Sequence, residues 1–86
     1  MPTISEFFGI FILMYFNDHA PPHFHARYAE HEALIRIEPL GILQGSLPPR
    51  ALSLVMEWAA LHQKELMKDW KLAENMQKLE KIKPLE

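Results

Sequence analysis

Residues 50–83 contain neither glycine nor proline and are dense in Ala, Leu, Met, Glu, Lys and Gln. Such a stretch has the composition of helix and few means of turning sharply. Residues 1–47 are its opposite, rich in β-branched and aromatic residues and holding all three glycines. The contrast predicts one α+β domain over residues 1–86: a β-meander over 1–47, a helical part over 48–80 and an extended tail over 81–86. The helical part would cover one face of a small antiparallel sheet. A domain this short buries roughly 60% of its unfolded surface and is marginal alone. Yet 49% of the residues are apolar, a surplus that points to a covering partner such as the second copy of a homodimer.

Periodicity divides the first half. Residues 8–16 read as the first strand, with Ile10, Ile12 and Met14 on one face and Phe11, Leu13 and Tyr15 on the other. Both faces are apolar, which predicts a strand covered on both sides or placed at a subunit interface. Asn17 to Pro22 make a loop, because two prolines fix their own φ and cannot donate to a ladder. Residues 23–28 alternate, then turn at Ala29-Glu30 or Glu30-His31 into an alternating strand over 32–38. Either two-residue turn gathers Phe24, Ala26, Tyr28, Ala33, Ile35 and Ile37 on one face. His23, His25, Arg27, Glu32, Leu34, Arg36 and Glu38 share the other face. Pro39-Leu40-Gly41 turns the chain into a short strand near 42–44, for a sheet of three or four strands.

Pro49 suits the first position of a helix, where its missing N–H costs nothing. Leu52, Val55, Met56, Ala59, Leu66, Trp70 and Ala73 then form a stripe at helical spacing. His62-Gln63 interrupts it, which predicts a kink or two helices. Trp58 and Trp70 read as core or interface, His31 as solvated and His62 as part of the kink.

Without cysteine, disulfides and thiolate metal sites are excluded, in keeping with a reducing cytoplasm. A net charge of −2 exerts no global pull on nucleic acid or anionic lipid. The apolar run over 7–16 follows Glu6, has no basic flank and is too short to cross a bilayer, so neither a signal peptide nor a membrane span is expected. No glycine-rich phosphate loop or nucleophile elbow is present.

The chemistry concentrates in NDHAPPHFHARY, residues 17–28, where three of the five histidines fall within seven positions. His23 and His25, two apart on a strand, stand roughly 6.6–7 Å apart at the backbone and can reach one ion. His19 or Asp18 could add a third ligand and Glu32 or Glu38 a fourth, a His/carboxylate set suited to a divalent metal. No other cofactor is expected. Arg27 and Arg36 on the same face oppose a cation. With His23 and His25 they form a basic strip suited to an anionic partner such as RNA, and His23, His25 and Arg27 are the candidates for proton transfer and charge stabilisation in RNA cleavage. Glu32 and Glu38 partly offset that strip. The plainest reading is a half-exposed strand whose histidines pair with glutamates, beside a loop closed by Asp18 and His19. The candidate binding surface is Asp18, His19, His23, His25, Arg27 and Arg36. The arginine beside the histidines favours an anion over a metal there.

MPTISEFFGI, MYFNDH, PPHFHARY, EALIRIE, GSLPPRALSLVMEWAALHQKEL and KIKPLE together closely resemble the bacterial domain of unknown function 4160. The most specific pieces are Met14-Tyr15, Asp18-His19, the run Pro21 to Ala26, Trp58 and Trp70. The resemblance implies a bacterial cytoplasmic protein, commonly encoded beside a small protein of the domain of unknown function 2442 type. That two-gene arrangement looks like a toxin–antitoxin pair, so the expected role is association with protein, or with RNA, through the His/Arg face. The alternative is a small metal-binding protein or metalloenzyme using His19, His23 and His25.

Overall fold

A computed structural model describes residues 3–86. Five strands lead, β1 (Thr3–Phe7), β2 (Ile10–Leu13), β3 (His23–Tyr28), β4 (His31–Arg36) and β5 (Gly41–Gly45); two helices follow, α1 (Pro49–Leu61) and α2 (Gln63–Glu74). The strands form one antiparallel meander in chain order. The α+β expectation stands, with five strands in place of three or four.

The extra strand comes from the apolar run that reads as one strand over 8–16. It is broken by a hairpin turn at Phe8-Gly9, both at positive φ (50° and 78°), with Phe7 opposite Ile10. Positive φ at both central residues is the type I′ geometry that matches strand twist. Asn or Asp is the usual first residue there, so Phe8 gives no turn signal in the sequence. The outer face of β2 is only partly covered: Leu13 is buried, whereas Phe11 is 40% exposed.

The β3–β4 hairpin turns at Ala29-Glu30, with Tyr28 opposite His31 and Phe24 opposite Ile35. Phe24, Ala26, Ala33, Ile35 and Ile37 are fully buried on the helix side, as the alternation predicts. They share a core with Ile10, Ile12, Val55, Trp58, Ala59, Leu66, Trp70 and Ala73.

Pro49 opens α1 and the break falls at His62. There the ring packs at a tilt against Trp58, centroids 5.5 Å apart, and Nδ1 lies 2.6 Å from Glu65 Oε1. The helical part ends at Glu74, short of residue 80. Gln77 N–H donates to Leu72 O (2.8 Å), Met76 N–H donates to Ala73 O (3.1 Å), and Met76 sits at φ 56°. This is a Schellman closure with methionine in the left-handed position usually given to glycine. The chain beyond it returns across the helices: Trp58 Nε1 donates to Lys83 O (2.8 Å), and Ile82, itself buried, donates its N–H to Ile4 O (2.8 Å). The tail thus meets the open edge of β1 at one backbone bond, to Ile4 O. Among the described residues no helix is long and apolar enough to cross a membrane.

Candidate functional site

Period two brings His23 and His25 to one face of β3, and the loop before it brings Asp18 over them. That loop is pinned at its start, where Asn17 at φ 53° donates its N–H to Ala73 O (3.1 Å) at the end of α2. Asp18 Oδ1 accepts the N–H of His19 (2.9 Å), which leaves Oδ2 turned to the rings. Oδ2 lies 3.0 Å from His23 Nε2 and 3.3 Å from His25 Nε2. The far nitrogens are engaged too: His23 Nδ1 lies 2.8 Å from Pro21 O, and His25 Nδ1 lies 3.2 Å from Glu32 Oε2.

Each ring therefore meets an oxygen acceptor at both nitrogens. A neutral imidazole has a single N–H and can satisfy only one of them. With the N–H at Nδ1, Pro21 and Glu32 are served and each Nε2 faces Asp18 with a lone pair against a carboxylate; with it at Nε2, Asp18 is served and the mismatch moves to Pro21 O and Glu32. A second proton on each ring or a cation shared among the three side chains resolves this.

The site is recessed. The His23 side chain is 4% exposed, and those of His25 and Asp18 are 14% and 16%. Trp70 from α2 packs on the His23 ring at 5.2 Å, and Tyr15 meets His25 edge-on at 4.5 Å. Burial raises the Asp18 carboxyl, but the His19 N–H, the His25 ring and the nearby His23 and His19 outweigh it. The carboxyl accordingly lies below its ordinary value of 3.8.

The other candidates fall outside this trio. His19 points to solvent, its side chain 94% exposed and its Nδ1 3.4 Å from Asp18 Oδ1. Asp18, not His19, is the third group beside the two rings; donor atoms of Asp18, His23 and His25 all lie within 4.8 Å of one another. Arg27 Nη2 is 3.9 Å from Glu32 Oε2, on the side of His25 away from Asp18. Arg36, across from His23 in the β3–β4 register, donates its Nε to Pro39 O (2.9 Å) and its guanidinium lies against Gly41. The basic strip of the sequence is thus divided, with His25 and Arg27 sharing Glu32. Trp70 gives no local signal of its role, since it reaches His23 from 47 residues along the chain.

The chain matches the family described as Domain of unknown function (DUF4160) over residues 9–71. No curated protein and no solved structure matches it. With most of its length inside that match, the chain belongs to the DUF4160 family.

Proposed function

We propose that the protein binds a divalent transition metal through His23 Nε2, His25 Nε2 and Asp18 Oδ2. The observation that carries this is the acceptor at both nitrogens of both rings. One cation takes the place of the two missing protons, and both Nδ1–H groups keep their oxygen partners. That is the usual outer shell of metal-bound histidine, with the far N–H given to a carbonyl or a carboxylate. The spacing supports it as well. Donors about 2.05 Å from a metal and 90–110° apart stand roughly 2.9–3.4 Å from one another. The two His–Asp distances, 3.0 and 3.3 Å, already fall there. The third separation, bounded by 4.8 Å, has to close by at most about 1.4 Å to reach that range. Two imidazoles and one carboxylate without thiolate suit Zn²⁺, Fe²⁺, Co²⁺ or Ni²⁺ and leave coordination positions open.

Calorimetric titration of protein prepared without a histidine tag tests the reading. About one equivalent of Zn²⁺ or Co²⁺ should bind, and Asp18→Ala or His23→Ala should weaken it at least about 100-fold. Less than about a tenth of an equivalent bound, with no thermal shift, would sink it.

A second reading is association with an anionic partner, in a bacterial cytoplasmic module of toxin–antitoxin type. It is favoured by the shallow groove of about 250 Å³ that Thr3, Phe11, Leu13 and Arg27 line on the outer sheet face. Its test is growth on induction of the gene alone. Identical growth of wild type and a His23→Ala/His25→Ala/Arg27→Ala variant ends the toxin version of that reading.

A further inference from the structure

At the opposite end of β3 from the histidines, the β1–β2 turn, Tyr28 and the start of α1 line a half-open cavity of about 160 Å³. Phe8, Ile10, Tyr28, Ala51 and Leu54 supply its apolar wall, and Arg50 is the one charged residue that lines it among the described residues. Phe8 is the anomaly. A bulky side chain at φ 50° is strained, and this one is 60% exposed, so burial on folding does little to offset that strain. Its neighbour Gly9 supplies the second positive φ of the turn (78°), and the Tyr28 ring lies beside it, where a Cβ would meet Cε1 at an ordinary contact distance of 3.6 Å. The turn therefore holds two aromatic rings beside an apolar hollow with a cation at its edge and no carboxylate facing it.

We propose that this cavity binds a small aromatic carboxylate. A cavity of about 150 Å³ lined by aliphatic and aromatic side chains is large enough for one benzene ring. The ring would lie on Ile10, Ala51 and Leu54 beneath Phe8, with its carboxylate on the Arg50 guanidinium, the geometry that guanidinium recognises best. Phe8 then owes its place in the turn to the contact it makes with the ligand. This site is separate from the metal site and does not depend on it.

The probe is benzoate, with benzamide as its uncharged isostere, followed by amide-proton NMR on the full chain. Benzoate should shift the signals of Ile10, Tyr28, Ala51 and Leu54 together, with a dissociation constant of about 1 mM, as a ligand this small allows. Benzamide should bind at least about tenfold more weakly, and Arg50→Gln should weaken benzoate by a similar factor. Phe8→Asn, a residue suited to that turn position, should fold normally and lose benzoate binding. No clustered shifts at about ten times the expected dissociation constant, equal binding of benzamide, or unchanged affinity in Arg50→Gln overturns the proposal. Unchanged affinity in Phe8→Asn overturns the role given to Phe8.

Discussion

Asp18 holds its Oδ2 3.0 Å from Nε2 of His23, a ring that is almost wholly buried and already engages Pro21 O through its other nitrogen. Where Nε2 carries the ring's N–H, the Asp18 carboxylate is its acceptor in place of the water that burial has removed. Its carboxyl lies below the ordinary value of 3.8. A depressed folded value means that Asp18 contributes stability that is fully present above the unfolded value and lost as pH falls through the folded one. In metal-free protein, Asp18→Asn should cost about 1–3 kcal/mol at pH 7. The difference from wild type should shrink as urea midpoints are followed below pH 3.8. A difference that stays constant with pH would show that charge has no part in it.

Glu32 and Arg27 should separate cleanly in metal affinity. Glu32 accepts from the His25 ring directly, whereas Arg27 reaches the site only through Glu32 at 3.9 Å. Removing the outer-shell acceptor of a metal-bound histidine costs about 10–100-fold in affinity, so Glu32→Ala, which takes the acceptor away from His25, should weaken Co²⁺ binding by that much. Arg27→Ala should change it by less than about threefold, since an exposed ion pair contributes little. Quenching of Trp70, 5.2 Å from His23, gives a fluorescence readout for both. An Arg27→Ala effect as large as that of Glu32→Ala would return Arg27 to the centre of the site.

Much of this fold is legible from alternation and composition. Residues 23–28 alternate strictly, and the observed register places Phe24 and Ala26 in the core and His25 outside it. The proline at α1 and the break at His62 are equally local signals. What escapes is set by backbone states that the residue types do not advertise. Phe8 and Met76 both take positive φ, where glycine or asparagine would be expected, so one hides a hairpin and the other the end of α2. In the candidate site, strand period places His23 and His25, whereas choosing Asp18 over His19 depends on which way the 17–22 loop folds. That choice is made by the Asn17 tie to Ala73 and the His19 N–H bond to Asp18. Neither contact is written in local pattern.

Asp69 carries a cost that its neighbours only partly relieve. It is 1% exposed, its Oδ1 accepts the Glu80 N–H (2.9 Å), and its Oδ2 has no partner. Burial first, then the charges of Glu80 and Glu65, raise its carboxyl, against the opposing Glu80 N–H and Lys68. A carboxyl raised on folding favours the folded state below the unfolded value of 3.8, and that advantage is lost as pH rises toward the folded value. Asp69→Asn keeps the acceptor for Glu80 and removes the buried charge. It should raise stability by about 1–2 kcal/mol at pH 7, seen as a rise in Tm of about 4–8 °C per kcal/mol. The gain should vanish near pH 3.8 and below. A variant less stable than wild type at both pH values would mean that the charged carboxylate is needed where it is.

The C-terminal tail behaves as an eighth element, one without regular structure. Ile82 is 4% exposed and packs in the common core, its N–H closes the β1 edge at Ile4 O, and the next carbonyl, Lys83 O, is the acceptor for the buried Trp58 indole. Losing the tail would leave a sheet edge and an indole N–H without partners, both costly in a small domain. Ile82→Ala should remove about 2–4 kcal/mol, the range for a buried isoleucine truncated in a packed core. At 86 residues that is a fall in Tm of about 10 °C or more. Hydrogen exchange adds a finer check, because the Ile82 amide and the Trp58 indole should lose protection together while β3–β4 amides keep theirs. A Tm within about 2 °C of wild type, with the indole still protected, would show that the tail lies on the fold without holding it.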